Sequence, residues 1–527
     1  MTITAGTEHG RAAAGAPGAV AEAPALEVRG GGVPRSPSGG DPRGGDAPPR
    51  SPRVAARLAR LIGDRYSATL PGRLRLARAV CVLLVAGLLI LLAVAATGAA
   101  TTWDETALRN APRTVSATQL NLALNDMDAQ TANILLSSGD SGTGKGRLDE
   151  SYTKAGGFYR DAQETISRSL RTLAAASEGD QATEATVVRL TDDFAHYQEL
   201  IGRALENDSR PGGKDAARED YRTATDLLAQ RLLPEARKLV DANNAVYERQ
   251  YAAARADLGV QRAVEAVLGV LLIAALVLLQ IRLARRFNRV FNPGLIAATL
   301  CAVVAVVCGV QLLTVTHDRM KVARRDSFDS VIALSRSKAI GYDANADESR
   351  YLLDPDRRSA YELSFLDKSQ QLYGIEGAGL GTYDRKLADT WATYRKNHED
   401  KRFTGEYRRE LDNITFAGER KAAEKTVEAY AVYQRDDHTF RQLVAEGKIQ
   451  EATVFCIGWA SATSNAHFGE WMKALDQVTA INQRHFELAV QEGRGALASQ
   501  APTAGTALLL TAGLTVLGLR RRLAEFR

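Results

Sequence analysis

The sequence predicts an all-α membrane protein: four transmembrane helices carrying two extracytoplasmic four-helix bundles related by an internal repeat. Four apolar runs, at 79–100, 263–281, 294–315 and 501–519, each come close to the roughly 20 residues a helix needs to cross a bilayer. Aromatic residues make up only 6% of the 527 residues, while Ala, Leu, Glu, Arg and Gln are abundant, which favours helices over β-sandwiches. The two polar segments between the runs, 101–262 and 316–500, repeat one another in pattern.

Taken in order, residues 1–52 are rich in Gly, Pro, Ala and Ser and carry almost no large apolar side chains. Such a segment cannot bury enough surface to offset its chain entropy, so it reads as a disordered cytoplasmic tail. Residues 53–78 turn basic, with Arg53, Arg57, Arg60, Arg65, Arg73, Arg75 and Arg78 against a single Asp64. This is a juxtamembrane segment suited to anionic lipid. The first run follows, and Trp103-Asp104-Glu105 beyond it reads as an interfacial aromatic and acids at an outside exit. Cleavage as a signal peptide is disfavoured by the long segment before the run.

The second and third runs form a hairpin around the link 282–293, which holds Arg282, Arg285, Arg286 and Arg289 and no acid. The positive-inside rule places that link in the cytoplasm, and the four arginines are the candidate cytoplasmic relay. The fourth run ends at Arg520-Arg521-Arg522, and 520–527 is a basic cytoplasmic tail. All inner flanks are then basic, both termini lie inside, and both polar segments lie outside. The net charge of +5 is small and collects at these flanks, which argues against a nucleic-acid surface.

The repeat is carried by Asp126-x-x-Ala129 with Leu135-Leu136, which returns as Asp343-x-x-Ala346 with Leu352-Leu353. The same register pairs Val115 with Ile332 and Leu122 with Ala339, stepping by threes and fours as a coiled-coil-like seam does. In the last helices, Glu235, Lys238, Asp241 and Arg249 return as Glu470, Lys473, Asp476 and Arg484, after Gly213-Lys214 and Gly447-Lys448. The first segment reads as helices over 106–136, 150–176, 183–206 and 214–258. In the second, the third helix is open between one around Leu387, Trp391 and Tyr394 and one over 424–446, with an insertion near 375–420.

Chemistry-bearing motifs are few. Gly139–Gly146 nearly spells a P-loop, but Gly146 follows Lys145 where a magnesium-binding hydroxyl belongs, and a helix precedes it rather than a strand. The seven histidines are dispersed, no residues have metal-ligand spacing, and no nucleophile elbow or paired carboxylates stand out. The expectation is no enzyme, no cofactor and no metal. Cys81, Cys301 and Cys308 fall in apolar runs, and Cys456 reads as a buried small residue, with a bridge between chains as the minority alternative. Asp126 and Asp343 are the candidate ligand- or partner-binding residues, against the plainer reading of solvated or capping acids. Glu265 and Gln311, near one end of adjacent runs, are expected to hydrogen-bond across the hairpin, beside the small-residue stripe Ala298, Ala302, Ala305 and Gly309.

The Gly-Lys pairs, the long last helix with Asp241 or Asp476 and its direct entry into a spanning run resemble the four-helix-bundle sensor domains of chemoreceptors and histidine kinases. Duplicated external bundles on four spans, with no output module after 519, resemble the actinobacterial GlnX-type membrane proteins. That resemblance implies a solute-binding lipoprotein docking outside and a soluble G-type protein kinase signalled inside. The expected function is a membrane sensor and signal transducer, which could also self-associate. The alternative is a structural or envelope-organising membrane protein.

Overall fold

The computed structural model describes residues 70–139, 146–177, 180–287 and 292–524. The expected disordered tail, most of the 53–78 basic segment, the centre of the Gly139–Gly146 loop and the end of the basic tail lie outside the described residues. The described chain is all-α. Its only bridge of β type among these residues joins Gly374 to Thr404.

Helix α1 (Leu70–Asp104) carries the first apolar run and continues through a π-helical stretch, Glu105–Asn110, into α2 (Ala111–Ser137). Helices α3 (Asp149–Ala176) and α4 (Gln181–Ser209) follow, the latter capped by the Asp180 side chain accepting from Ala182 and Thr183 N–H. Helix α5 (Lys214–Leu227) passes through a second π-helical stretch, Leu228–Leu232, into α6 (Leu233–Phe287), which carries the second apolar run. Helix α7 (Pro293–Lys321) and a third π stretch, Val322–Phe328, lead to α8 (Asp329–Leu353). After α9 (Arg358–Leu372), α10 (Tyr383–Lys396), α11 (Glu406–Asp412), α12 (Glu419–Ala445) and α13 (Ile449–Ile457), the chain ends in α14 (Ser464–Ala524).

Four uninterrupted helical rods result: Gly72–Ser137, Lys214–Arg285, Pro293–Leu353 and Ser464–Arg520. The 72 residues of the second rod extend roughly 110 Å at 1.5 Å per residue. Each rod has one part long and apolar enough to cross a membrane. These four parts pack in a ring in which α14 touches α1 and α7, and α6 touches the same two. Leu88, Leu276, Ala302 and Leu508 fill the middle. The outer face is apolar too, with Leu83, Ile90, Leu300 and Leu509 exposed, a surface that suits lipid rather than water. Two polar contacts pin the ring near the basic link. Gln280 Nε2 donates to Thr299 Oγ1 at 2.6 Å, and Asn292 Nδ2 donates to the Gly518 carbonyl at 2.9 Å.

Trp103 departs from its expected place. Its ring is fully buried against Gly493 of α14, where even a Cβ would lie 2.1 Å from the indole, so it anchors α1 to α14 rather than resting at a lipid interface. Asp104 and Arg494 pair beside it at 2.6 Å. The helix expected from 106 begins as the π stretch. Pro112 alone does not explain this, since Val322–Phe328 is also π-helical without a proline.

The open choice in the second segment resolves into two helices. The long one is α12, which packs along α14 and buries Tyr430 and Tyr433. The Leu387/Trp391/Tyr394 motif forms the shorter α10 within the insertion, its apolar face closing the same core.

Candidate functional site

Helices α2 and α8, the first of each polar segment, pack against each other along their length. A helix surrounded on all sides has no solvated face, so the polar residues both carry must find partners in the seam. Asp128 is wholly buried and accepts from Tyr197 Oη at 2.9 Å and Tyr221 Oη at 3.1 Å. Its third partner comes from the other segment: the Arg350 guanidinium, 5% exposed. Arg350 also reaches Asp347 at 2.6 Å and Asp343 at 3.3 Å, and Lys368 joins Asp343 at 2.7 Å and Asp347 at 2.5 Å. Three carboxylates and two cations thus share one dry site. Burial works against the Arg350 charge, but Asp128, Tyr221, Asp347 and Asp343 outweigh it and hold its pKa well above the ordinary arginine value.

The seam is fastened at other heights. Ser349 Oγ donates to Asn133 Oδ1 at 2.7 Å, Arg222 grips Asp354 and reaches Asp356 at 2.7 Å, and Arg357 meets Asp226 at 2.9 Å. Nearer the apolar ring, Arg324 of the third π stretch is 2% exposed. It pairs with Asp329 and with Glu248 at 3.1 Å, and lies 4.8 Å from the Tyr247 ring centroid. Glu348, one residue from Ser349, faces the second core instead. Burial and Asp437 push its carboxyl well above the usual range, and Tyr433 Oη donates to it at 2.7 Å.

The residues singled out from the sequence fare unequally. Asp343 is in the seam cluster, neither solvated nor capping. Burial raises its pKa, but Lys368 and Arg350 outweigh burial and hold it below the ordinary value. Asp126 lies outside the cluster, bonded to Gln130 Nε2 at 2.9 Å, and burial pushes it up to about 7. Asp241 and Asp476 do make bonds between helices, to Arg336 at 3.3 Å and Lys338 at 2.6 Å. Glu235–Lys238 and Glu470–Lys473 are pairs within one helix, at 2.9 and 2.7 Å. The Glu265–Gln311 hydrogen bond does not form. Glu265 is buried against Gly309, where a Cβ would collide with its carboxylate, whereas Gln311 is exposed on another side of α7. Arg282 and Arg285 are exposed at the end of α6; the side chain of Arg286 and all of Arg289 lie outside the described residues. Cys456 is fully buried. Among the described residues no three His, Cys, Asp or Glu converge as metal ligands.

The partners the sequence reading missed are Asp128, Arg350 and Lys368. Asp128 stands two residues past Asp126, and the signal that could have found it is the run Asp343-x-x-x-Asp347-x-x-Arg350, three charges on one helical stripe too rich for a dry seam unless the facing helix answers it.

Residues 102–252 match the model of a family described as the actinobacterial sensor domain. The matched stretch runs from the end of the first apolar run to just before the second, and so covers α2 through α5 with Asp128, Tyr197 and Tyr221. No curated protein and no solved structure matches the chain. The four helices fit to cross a membrane support a multi-pass membrane protein, and its stretch 102–252 is similar to the actinobacterial sensor domain.

Proposed function

We propose that this protein is a non-enzymatic transmembrane signal transducer in which two related bundles outside the membrane move as a pair and report to a cytoplasmic partner. The observation that carries the reading is the buried Asp128–Arg350 contact, made by two helices that each run without a break from a spanning helix. Any outside event that favours one arrangement of this seam over another shifts the helices that continue into the membrane. The basic flanks support an inside location for the 282–293 link and both termini. The corresponding π stretches, Glu105–Asn110 and Val322–Phe328, fall in the register that pairs Asp126 with Asp343 and support a duplicated sensor unit. The resemblance to GlnX-type proteins adds the partners: a solute-binding lipoprotein outside and a G-type protein kinase inside.

The relay is tested with spin labels at Arg282→Cys and Arg520→Cys in full-length protein in nanodiscs, with the native cysteines replaced. Asp128→Asn is expected to change the distance distribution between the two labels. An unchanged distribution in a folded variant sinks the relay. An impermeant thiol reagent applied to either side of oriented vesicles tests the sidedness at the same Arg282→Cys position.

A further inference from the structure

The insertion in the second segment lays one short helix, α11, against α8 where the third rod passes from the bundle toward the apolar ring. The start of α11 is fixed by main chain. Thr404 and Gly374 exchange hydrogen bonds at 2.8 and 2.9 Å, and Gly405, at φ 94°, comes too close to the Gln371 and Leu372 carbonyls to carry a Cβ. Its end is held by side chains instead. Asn413 Nδ2 donates to Ser330 Oγ at 2.9 Å and lies 3.3 and 3.4 Å from the Arg325 and Asp326 carbonyls, both inside the third π stretch. The wider π turn departs from the regular helical ladder, and Asn413 takes up carbonyls that it presents. Beyond it, Thr415 and Phe416 N–H donate to Glu419 at 2.7 and 2.9 Å, and the Phe416 ring stacks on His485 of α14.

Glu410 lies between these two ends, 3% exposed, and neither of its carboxyl oxygens accepts a well-formed hydrogen bond. The cations around it are engaged with other acids. Arg336 of α8 reaches Asp241 at 3.3 Å and Glu406 at 3.8 Å, and Arg324 and Arg325 of the π stretch hold Asp329 and Glu248. On α11 itself, Arg409 pairs with Glu406 at 2.9 Å and Arg408 with Asp412 at 2.6 Å. From α12 the neighbour is Glu419, another acid, whose second oxygen accepts from Asn482 of α14 at 2.7 Å. No cation pairs with Glu410 among the described residues, so this site tolerates the neutral carboxyl and resists the carboxylate.

We infer that Glu410 is a proton-binding site that seats α11 as a strap over the third π stretch: with the proton bound the strap stays down, and with the proton lost its Asn413 end lifts. Burial first, and Glu419 second, push the Glu410 carboxyl up to about 7 from its ordinary 4.5, with the Ser330 hydroxyl acting more weakly the other way. Between those values the seated strap binds more protons than the lifted one, so seating weakens as pH rises through the window. Its effect on the membrane helices rests on the proposed relay; the strap itself does not.

The test is amide hydrogen exchange read by mass spectrometry on the full-length protein in nanodiscs at pH 5.5 and pH 8, corrected for the intrinsic pH dependence of exchange. Amides of 409–413 and of 322–330 are expected to open together, about tenfold more readily at pH 8. Glu410→Gln, which mimics the neutral carboxyl, is expected to hold both stretches at the pH 5.5 level at either pH. Asn413→Ala is expected to raise exchange of 322–330 about threefold already at pH 5.5. Opening of the native protein that is flat with pH, a pH dependence that survives Glu410→Gln, or a 322–330 stretch that does not follow 409–413 overturns the assignment. The expected exchange with no pH-linked change in the distance between labels at positions 282 and 520 keeps the strap and removes its link to the relay.

Discussion

The two bundles solve the same packing problem with different materials. The first fills its core with Leu, Ala, Ile and Val, adding Phe194 and two tyrosines that are spent on Asp128. The second builds around rings: Phe365, Tyr383, Tyr407, Tyr430, Tyr433 and Trp471 are all deeply buried. Their polar tips are tied to one another, with Trp471 Nε1 donating to Tyr407 Oη at 2.6 Å and Tyr383 and Tyr430 hydroxyls 3.1 Å apart. The insertion explains the difference. A simple bundle of long helices leaves narrow gaps that aliphatic side chains fill, whereas the short α9 and the added α10 and α11 leave a wide space that only rings can span. The first bundle is thus the plain form, and it is the one the sensor-domain family matches.

The largest expected effect falls where the two bundles meet. Arg350→Met leaves Lys368 as the cation for Asp343 and Asp347 and leaves Asp128 with only the Tyr197 and Tyr221 hydroxyls in a dry site, at a cost of about 3–5 kcal/mol. Asp128→Asn combined with Arg350→Met recovers part of that loss, and thermal melts of the four proteins in detergent measure the coupling. If the single variants add without interaction, the bundles are not joined by this pair. Within the cores, Trp471→Ala is expected to cost about 3–5 kcal/mol and Leu190→Ala about 2–4, both being fully buried large-to-small changes. An equal or reversed order denies the ring-based core its greater weight. Gly493→Ala is smaller, about 1–3 kcal/mol, because a methyl there drives into the Trp103 ring that fastens α1 to α14. Intrinsic Trp fluorescence together with the melting temperature checks it.

The helical class and the four apolar parts could be read from the chain because each rests on local periodicity. Contacts between distant segments could not. The register that pairs Asp126 with Asp343 also pairs Asp128 with Asn345 and Asn133 with Arg350, so the seam replaces one matched amide pair by charges and leaves Asn133 to Ser349. A helical stripe shows which residues share a face but not which helix covers it. For the same reason Glu265 was set against Gln311 by depth alone, when the rotation of α7 puts Gly309 opposite it. Trp103 next to acids suggested an interface, and only the close approach of Gly493 shows it buried.

The smallest effects distinguish the two register-matched acids by pH. Asp126 is raised by burial to about 7, with Gln130 and Lys338 acting weakly against it, while the unfolded carboxyl titrates near 3.8. Between those values the native state binds more protons than the unfolded one, so this group's contribution falls as pH rises through the window, and the loss is complete above it. Asp126→Asn removes the titration. It is expected to match the native protein near pH 4 and to exceed it at pH 8 by about 1–2 kcal/mol, after allowance for partial exposure. Asp343 has the opposite sign, because Lys368 and Arg350 hold it below its ordinary value. Its contribution is present above the unfolded pKa and is lost as pH falls through the folded one, so Asp343→Asn destabilises at pH 7 and the gap narrows in acid. Melting curves from pH 4 to 8 read the Asp126 slope, and their extension below pH 4 reads that of Asp343. Parallel slopes would mean that the two acids share one environment, and the seam would then be symmetric after all.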